Sequence, residues 1–436
     1  MNLAAVNLDL GQDCYYETTV VRREWPRLQQ DSTADVVVVG GGLAGLSTAL
    51  ELAESGQSVI LLEAERLCGH ASGRNGGQAI SGYACGQAWL DAHLGLASGQ
   101  QLWQLSLASL QLMQERIQRF NIDCQPVWSY ITVADRPRKA RALRDEQAYM
   151  QHHHGHQLHW VEGAELRQHL GTDQYVAGLR DPTSGHLNPL RYGLGIAQAA
   201  QAAGVRLHEH SPALSMDQVG SDWIVRTAQA HVRARQVVLA GNSGLRWQSP
   251  TLARGLHART MPVGTYIIAT EALSPAQAQA LLPSNAAVCD NNFVLDYFRL
   301  SAERRMLFGG RVSYTAATPS QLTRTMQERM VRVFPSLQHA RIDHTWGGFV
   351  DISRERAPDW GQLAPGVFFM QGFSGHGLAA TTLAGRVIRQ AVLGDRHALG
   401  LFERIRQSPF PGGAALRIPL LLLGTSYYRL RDWLGF

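Results

Sequence analysis

The sequence predicts an α/β fold built on a parallel sheet with crossover helices. Three observations predict it. Residues 36–39 are VVVV, a continuous β-branched run of the kind buried on both faces of a parallel sheet. GGGLAG (40–45) follows at once, and Leu46, Ala49, Leu50 and Ala53 then recur at helical spacing before Gly56. VILLE (59–63) is the next strand, so strand, turn, helix and strand fit within about 30 residues.

The remaining elements follow in order. Residues 1–34 mix polar and aromatic side chains and read as an extension. CGHASGRNGGQ (68–78) holds four glycines, an arginine and a histidine, and is expected to be a poor helix or strand that builds no core. Residues 97–120 predict a helix with Leu102, Leu105, Leu110, Met113 and Ile117 as apolar positions, and 138–150 predict a charged helix. HHHGH (152–156) has no carboxylate set beside it and reads as a surface loop rather than a metal tract. A second α/β signal is the helix NPLRYGLGIAQAAQAAG (188–204), ended by glycine, with the strand VRLHEH (205–210). Further strands are expected at 223–227, 231–242, 266–270, 298–301 and 306–311. QLTRTMQERMVRVFP (321–335) is a helix stopped by Pro335. The last strand, VFFMQG (367–372), passes through FSGHG (373–377) into a helix over 381–394.

Composition narrows the function classes. The 436 residues carry 40 basic and 35 acidic side chains, a balance too mild for nucleic-acid binding. Lys139 is the only lysine. Five scattered cysteines without a CxxC pair fit a reducing compartment, and the expected location is cytoplasmic. No signal-peptide pattern and no apolar run of roughly 18–20 residues is present. The C-terminal tail combines LLLL, Tyr427, Tyr428 and Trp433 with Arg417, Arg429 and Arg431, a mix suited to a helix docked on the protein's own core or to peripheral membrane contact.

The chemistry begins at G-x-G-x-x-G: Gly40, Gly42 and Gly45. The first glycine allows the tight turn, the second admits a pyrophosphate to the backbone, and the third allows close helix–strand packing. The helix N-terminus then offers free N–H groups to phosphate. Glu63, at the end of the second strand, stands where a carboxylate binds ribose hydroxyls and disfavours a 2′-phosphate. The glycine-rich loop after that strand, with Arg74 and Asn75 inside it, favours a permanently held FAD over an exchanging nicotinamide. The turn 373–377 and its helix start add a second N-terminus suited to negative charge on a flavin. An NAD-dependent dehydrogenase and a non-catalytic flavin-binding subunit remain as alternatives.

Together GGGLAGLSTALELAESGQSVILLEAERL, ASGRNGGQ, GHLNPLRY (185–192), VVLAGN (237–242) and GFSGHGLAATTLAG (372–385) resemble the D-amino-acid oxidase/sarcosine oxidase superfamily of FAD enzymes. YYETT near the start and the C-terminal segment 410–434 are most similar to its gamma-glutamylputrescine oxidase group. The resemblance implies an FAD-binding Rossmann-like domain of the GR2 type and an α+β substrate domain with a mainly antiparallel sheet. The implied division is an N-terminal extension (1–32), a discontinuous FAD-binding domain (33–95, 180–250 and 340–400), a substrate domain (96–179 and 251–339) and a tail (401–436). It also implies oxidation of a C–N bond of an amine or amino acid. Hydride would pass to flavin N5, the imine would hydrolyse, and oxygen or another acceptor would take the electrons. No Ser/His/Asp triad or HExxH is needed, and none is found; no metal is expected.

The cofactor-binding residues implied are Gly40, Gly42, Leu43, Ala44, Gly45, Glu63 and Ala64, then His70, Ala71, Ser72, Arg74, Asn75, Gly76, Gly77 and Gln78. Ala240, Gly241 and Gly348 join them, with Phe373, Ser374, Gly375, His376, Gly377 and Leu378 from the last turn. Substrate-side candidates on strands expected to face the flavin are Tyr266, Tyr297, Arg299 and His376, with Arg311 and Trp346 beside them. An arginine would anchor a carboxylate, and aromatic rings would enclose an amine. Two departures from the family pattern stand out. Sarcosine-oxidase relatives carry a lysine above the flavin, and the matching region, RTMPVG (259–264), has none. His70 replaces a glycine of the subgroup, and HASG (70–73) looks like the histidine site of covalent flavin attachment in dimethylglycine-dehydrogenase relatives; a histidine merely packed beside the ring is the alternative.

Overall fold

The computed structural model describes residues 13–249, 251–252, 254–292, 294–313 and 321–410. Two eight-stranded sheets organise them. In the first, Ser32–Val39 lies at the centre and pairs in parallel with His231–Leu239 on one side and Val59–Leu62 on the other. Val367–Gln371 and Arg206–His208 extend the sheet outward in the same sense. The VVVV run explains itself here. Val36 and Val38 enter one core while Val37 and Val39 enter another, so no position faces water and no polar alternation is possible. Each such valine contributes about 1.5–3 kcal/mol by burial.

The helices Leu43–Glu54, Leu96–Arg119, Pro189–Ala202 and Gly377–Val392 supply the first core with Leu46, Leu110, Leu190 and Leu383. Pro189 at the helix start and Asn188, whose side chain accepts the Arg191 N–H at 3.1 Å, fix where the third of these begins.

The second sheet runs in the order 342–353, 260–270, 306–313, 297–300, 287–290, 130–134, 177–181, 159–162. It is antiparallel except where 287–290 meets 130–134. Phe298, Phe308 and Phe349 pack on Met326 and Met330 of the helix Leu322–Val333. Ile267, Ala269, Leu307 and Trp346 belong to the first core instead. The strands 260–270 and 306–313 are therefore buried on both sides, by a helix on one and by the parallel-sheet unit on the other.

Several expectations need correction. Residues 342–353, assigned above to the FAD-binding domain, form the edge strand of the antiparallel sheet. The Gly347-Gly348 pair hid this strand, because two glycines weaken a strand pattern. The ring of Tyr266 compensates by lying 2.8 Å from where a Cβ of Gly347 would stand. HHHGH is not a surface loop throughout. It ends the helix Pro137–His154, which stops at Gly155 in a left-handed conformation with φ +62. The His154 side chain is fully buried, 2.7 Å from Asp91, and His156 packs against Trp103. The N-terminal extension is part of the packed structure from Tyr15 onward, with Tyr16 meeting Trp346 edge-on at 5.5 Å. Among the described residues no helix is long and apolar enough to cross a membrane. The membrane or docking role of Arg417, Tyr427 and Trp433 falls outside the described residues.

Candidate cofactor-binding and active site

A cleft opens at the carboxyl ends of the parallel strands, where open α/β sheets place their ligands. Gly40, Gly42, Glu63, Ala64, His70, Ala71, Ser72, Arg74, Ala240, Gly241 and Gly348 line it. The glycine requirement is steric. Gly40 has φ +111, and a Cβ there would lie 2.6 Å from the Gly241 nitrogen. A Cβ on Gly45 would lie 1.9 Å from the Gly40 carbonyl oxygen, so helix and strand could not approach as they do. Ala44 is buried in the first helical turn, and the Leu43 N–H donates to Ser72 Oγ at 2.9 Å.

Glu63 is buried with both oxygens engaged. One accepts the Gly41 N–H at 2.6 Å and the other the Glu65 N–H at 2.9 Å. Burial pushes its carboxyl group up, against the pull of those two N–H groups. Across the cleft mouth His70 Nε2 stands 3.1 Å from Glu65 Oε2, and this carboxylate holds the imidazole above its ordinary value.

The loop 68–78 is braced from several directions. Asn75 donates to the carbonyls of Ala71 and Ser72 at 3.0 Å and accepts the Gly77 N–H at 2.8 Å, so its amide faces its own loop. Arg74 Nε donates to the Gly347 carbonyl at 2.7 Å, and Trp346 Nε1 donates to the Arg74 carbonyl at 2.9 Å. Gln78 donates to the Val288 carbonyl at 3.0 Å. The Tyr297 ring presses on Gly76, within 2.7 Å of where its Cβ would stand.

Arg299 sits behind the same loop, 4% exposed. Its Nε donates to the Gly76 carbonyl at 2.7 Å. The rest of the guanidinium meets Tyr16 Oη at 2.9 Å, the Leu187 carbonyl at 3.0 Å, the Leu300 carbonyl at 3.2 Å and His186 Nδ1 at 3.5 Å. A guanidinium has five N–H donors, and all five are spent. The expectation that Arg299 anchors a substrate carboxylate needs a free donor pair, which this packing does not leave.

The other expected positions divide. Tyr266 points into the helix-covered core with Ile268 and Phe298 rather than toward the cleft. Trp346 is fully buried. Arg311 lies on the strand Met306–Ser313, with its side chain outside the described residues. Phe373, Ser374, Gly375, His376, Gly377 and Leu378 form the last turn and helix start, but do not line the cleft among the described residues. Ser374 Oγ accepts the Ser353 N–H at 3.2 Å and ties this turn to the antiparallel sheet. Burial, aided by Arg356, lowers the His376 imidazole to about 4, so it is neutral. Sequence reading missed the wall formed by Asn242, Ser243, Trp247, Gln248 and Phe349. The small residues directly after the strand at 231–239 were the available signal.

The residues present fit an FAD. The cleft has a glycine-lined floor, a carboxylate at the second strand end, and a buried Asn242 Oδ1 without a hydrogen-bond partner in its wall. A model of the family "DAO: FAD dependent oxidoreductase" matches residues 35–391. The chain belongs to this family of FAD-dependent oxidoreductases. It is 37% identical over 409 residues to gamma-glutamylputrescine oxidoreductase of Escherichia coli, covering 94% of this chain and 95% of that one. A probable oxidoreductase, OrdL, of Haemophilus influenzae is also 37% identical, over 96% of both chains. The crystal structure of glycine oxidase from Geobacillus kaustophilus superposes with a TM-score of 0.73 at 21% identity, covering 86% of this chain and all of that one. The protein is thus an FAD-dependent oxidoreductase of a family that acts on amines or amino acids.

Proposed function

We propose that this FAD-dependent oxidoreductase oxidises the C–N bond of a gamma-glutamyl polyamine or related amine and delivers the electrons to oxygen. The observation that carries the reading is the 37% identity to gamma-glutamylputrescine oxidoreductase along nearly the whole of both chains. Bound FAD supplies the two-electron acceptor. The amine loses two electrons and two protons to become an imine, water hydrolyses the imine, and oxygen takes up the electrons and protons as hydrogen peroxide.

In this reading Gly40, Gly42 and the Leu43–Glu54 helix start hold the pyrophosphate, and Glu63 exchanges its backbone partners for ribose hydroxyls. Ser72 and Arg74 contact the cofactor from the loop side. Tyr297, wedged against Gly76, shapes the reacting face and excludes water from it. Anaerobic flavin bleaching with gamma-glutamylputrescine, putrescine, glycine, sarcosine and D-amino acids tests the substrate class. Fast bleaching by the gamma-glutamyl amine alone is expected; fast bleaching only by glycine or sarcosine would overturn it.

One observation favours a second reading, a dehydrogenase with another acceptor. Lys139, the only lysine, donates to the Asn291 carbonyl at 2.9 Å. Reoxidation by dissolved oxygen at a rate no faster than free flavin's would establish the dehydrogenase.

A further inference from the structure

Arg299 presents an unbalanced charge. Its side chain is almost fully buried, and every acceptor that meets it is neutral: three carbonyls, the Tyr16 phenol and the His186 imidazole. His186 offers no negative charge: burial and Arg299 itself lower its imidazole to about 3, so the ring is neutral. Nor does Tyr16 ionise, since burial raises its phenol even beside the guanidinium. Among the described residues no carboxylate forms an ion pair with Arg299. A buried cation of this kind is costly unless an anion answers it.

Arg299 lines a cavity of about 260 Å³ with Tyr16, His186 and Asn188, which shares no residue with the cofactor cleft, and on its other side it holds the loop that borders that cleft. Arg299 grips the Gly76 carbonyl, and its NH2 group would stand 2.6 Å from a Cβ on Gly77. The same loop presents Ala71, Ser72 and Arg74 to the cofactor cleft. The hydrogen bonds fix the guanidinium in one place, so the charge needs no rearrangement to act.

We propose that Arg299 is a fixed positive charge, held behind the Gly76–Gly77 loop, that stabilises negative charge on the bound flavin. It acts across the loop without touching the substrate. The inference rests on FAD binding and not on the choice of amine.

Sulfite titration of the holoenzyme tests it without any amine. The sulfite sulfur forms one S–N bond with the oxidised flavin, nothing leaves, and the ring gains negative charge while its colour bleaches. Arg299→Gln should weaken sulfite binding by about tenfold or more, the size of a nearby unit charge in a partly screened interior. Arg299→Lys keeps the charge but loses the fork, and should stay within about threefold of the native protein. A third variant, His186→Glu, leaves Arg299 in place and gives it a counter-ion, so it should weaken sulfite binding as Arg299→Gln does. It also decides the matter if Arg299→Gln fails to retain FAD. Equal losses in the Gln and Lys variants would show a packing role and overturn the proposal. Unchanged sulfite affinity in Arg299→Gln or in His186→Glu would overturn it as well. If these sulfite results hold while no gamma-glutamyl amine bleaches the flavin, only the substrate reading fails.

Discussion

Arg116 and Glu51 form a buried ion pair of 2.8 Å between the helices Leu96–Arg119 and Leu43–Glu54. Arg116 also donates to Ser47 Oγ at 2.7 Å, while Arg386 and Arg389 approach the same carboxylate from the helix Gly377–Val392. Three helices that cover the parallel sheet thus share one acidic group. Glu51→Gln leaves Arg116 buried without its counter-charge, and should lower stability by about 3–5 kcal/mol. Urea unfolding should show a lower midpoint with an unchanged slope.

Gly45 offers a direct test of the cofactor cradle. A Cβ there would meet the Gly40 carbonyl oxygen at 1.9 Å, a backbone atom that cannot swing aside. Gly45→Ala should push the helix start away from the strand and abolish FAD retention through gel filtration. Gly56→Ala is a control, because its Cβ meets nothing, although φ +82 makes the change strained; it should keep its FAD.

His70 and Glu65 give a pH-dependent contact. The folded-state imidazole value is raised, first by Glu65. The stabilisation is therefore fully present below the unfolded value of about 6.5 and fades as pH rises through the raised folded value. Glu65→Gln should remove that dependence from thermal-unfolding midpoints. Nε2 is also turned toward the Glu65 carboxylate, at 3.1 Å, rather than left free for the flavin methyl group. Acid precipitation of the native protein should leave the yellow colour in the supernatant; colour in the pellet that is lost in His70→Ala would establish a covalent bond at His70.

Asp351 gives a pH dependence of the same sign at lower pH. It is buried, and burial raises its carboxyl group to about 6 against the pull of hydrogen bonds from Thr260, Ser243 and the Gly372 backbone and of the Arg246 charge. The folded state thus binds a proton more tightly than the unfolded chain. Stability falls as pH rises from about 4 to about 6, and stays lower above that. Asp351→Asn should stabilise the apoprotein by roughly 2 kcal/mol near neutral pH and by little at about pH 4. Chemical denaturation at the two pH values checks it.

Local patterns carried much of this molecule. VVVV, GGGLAG and VILLE specify strand, turn and strand because a doubly buried strand and a phosphate-admitting turn each demand residue types that little else does. The helices at 97–120, 188–204 and 321–335 were legible from apolar spacing and their glycine or proline ends, and their observed bounds differ by one to a few residues. The strand 342–353 was not legible, since its glycines are favourable only beside Tyr266 on the neighbouring strand. HHHGH misled for a similar reason. A histidine run looks solvent-exposed until Asp91 and Trp103, far along the chain, close over it.

The sequence by itself determined the family of FAD-dependent oxidoreductases and the glycine-rich turn at the end of a parallel strand, because that chemistry is written in residues adjacent along the backbone. Only the tertiary structure decided what the distant side chains do there. Arg299 looked like a substrate anchor, and became a saturated, uncompensated charge once Gly76, Tyr16, His186 and Leu187 came around it. Burial and hydrogen-bond saturation depend on partners brought together from across the chain, and no local pattern encodes them.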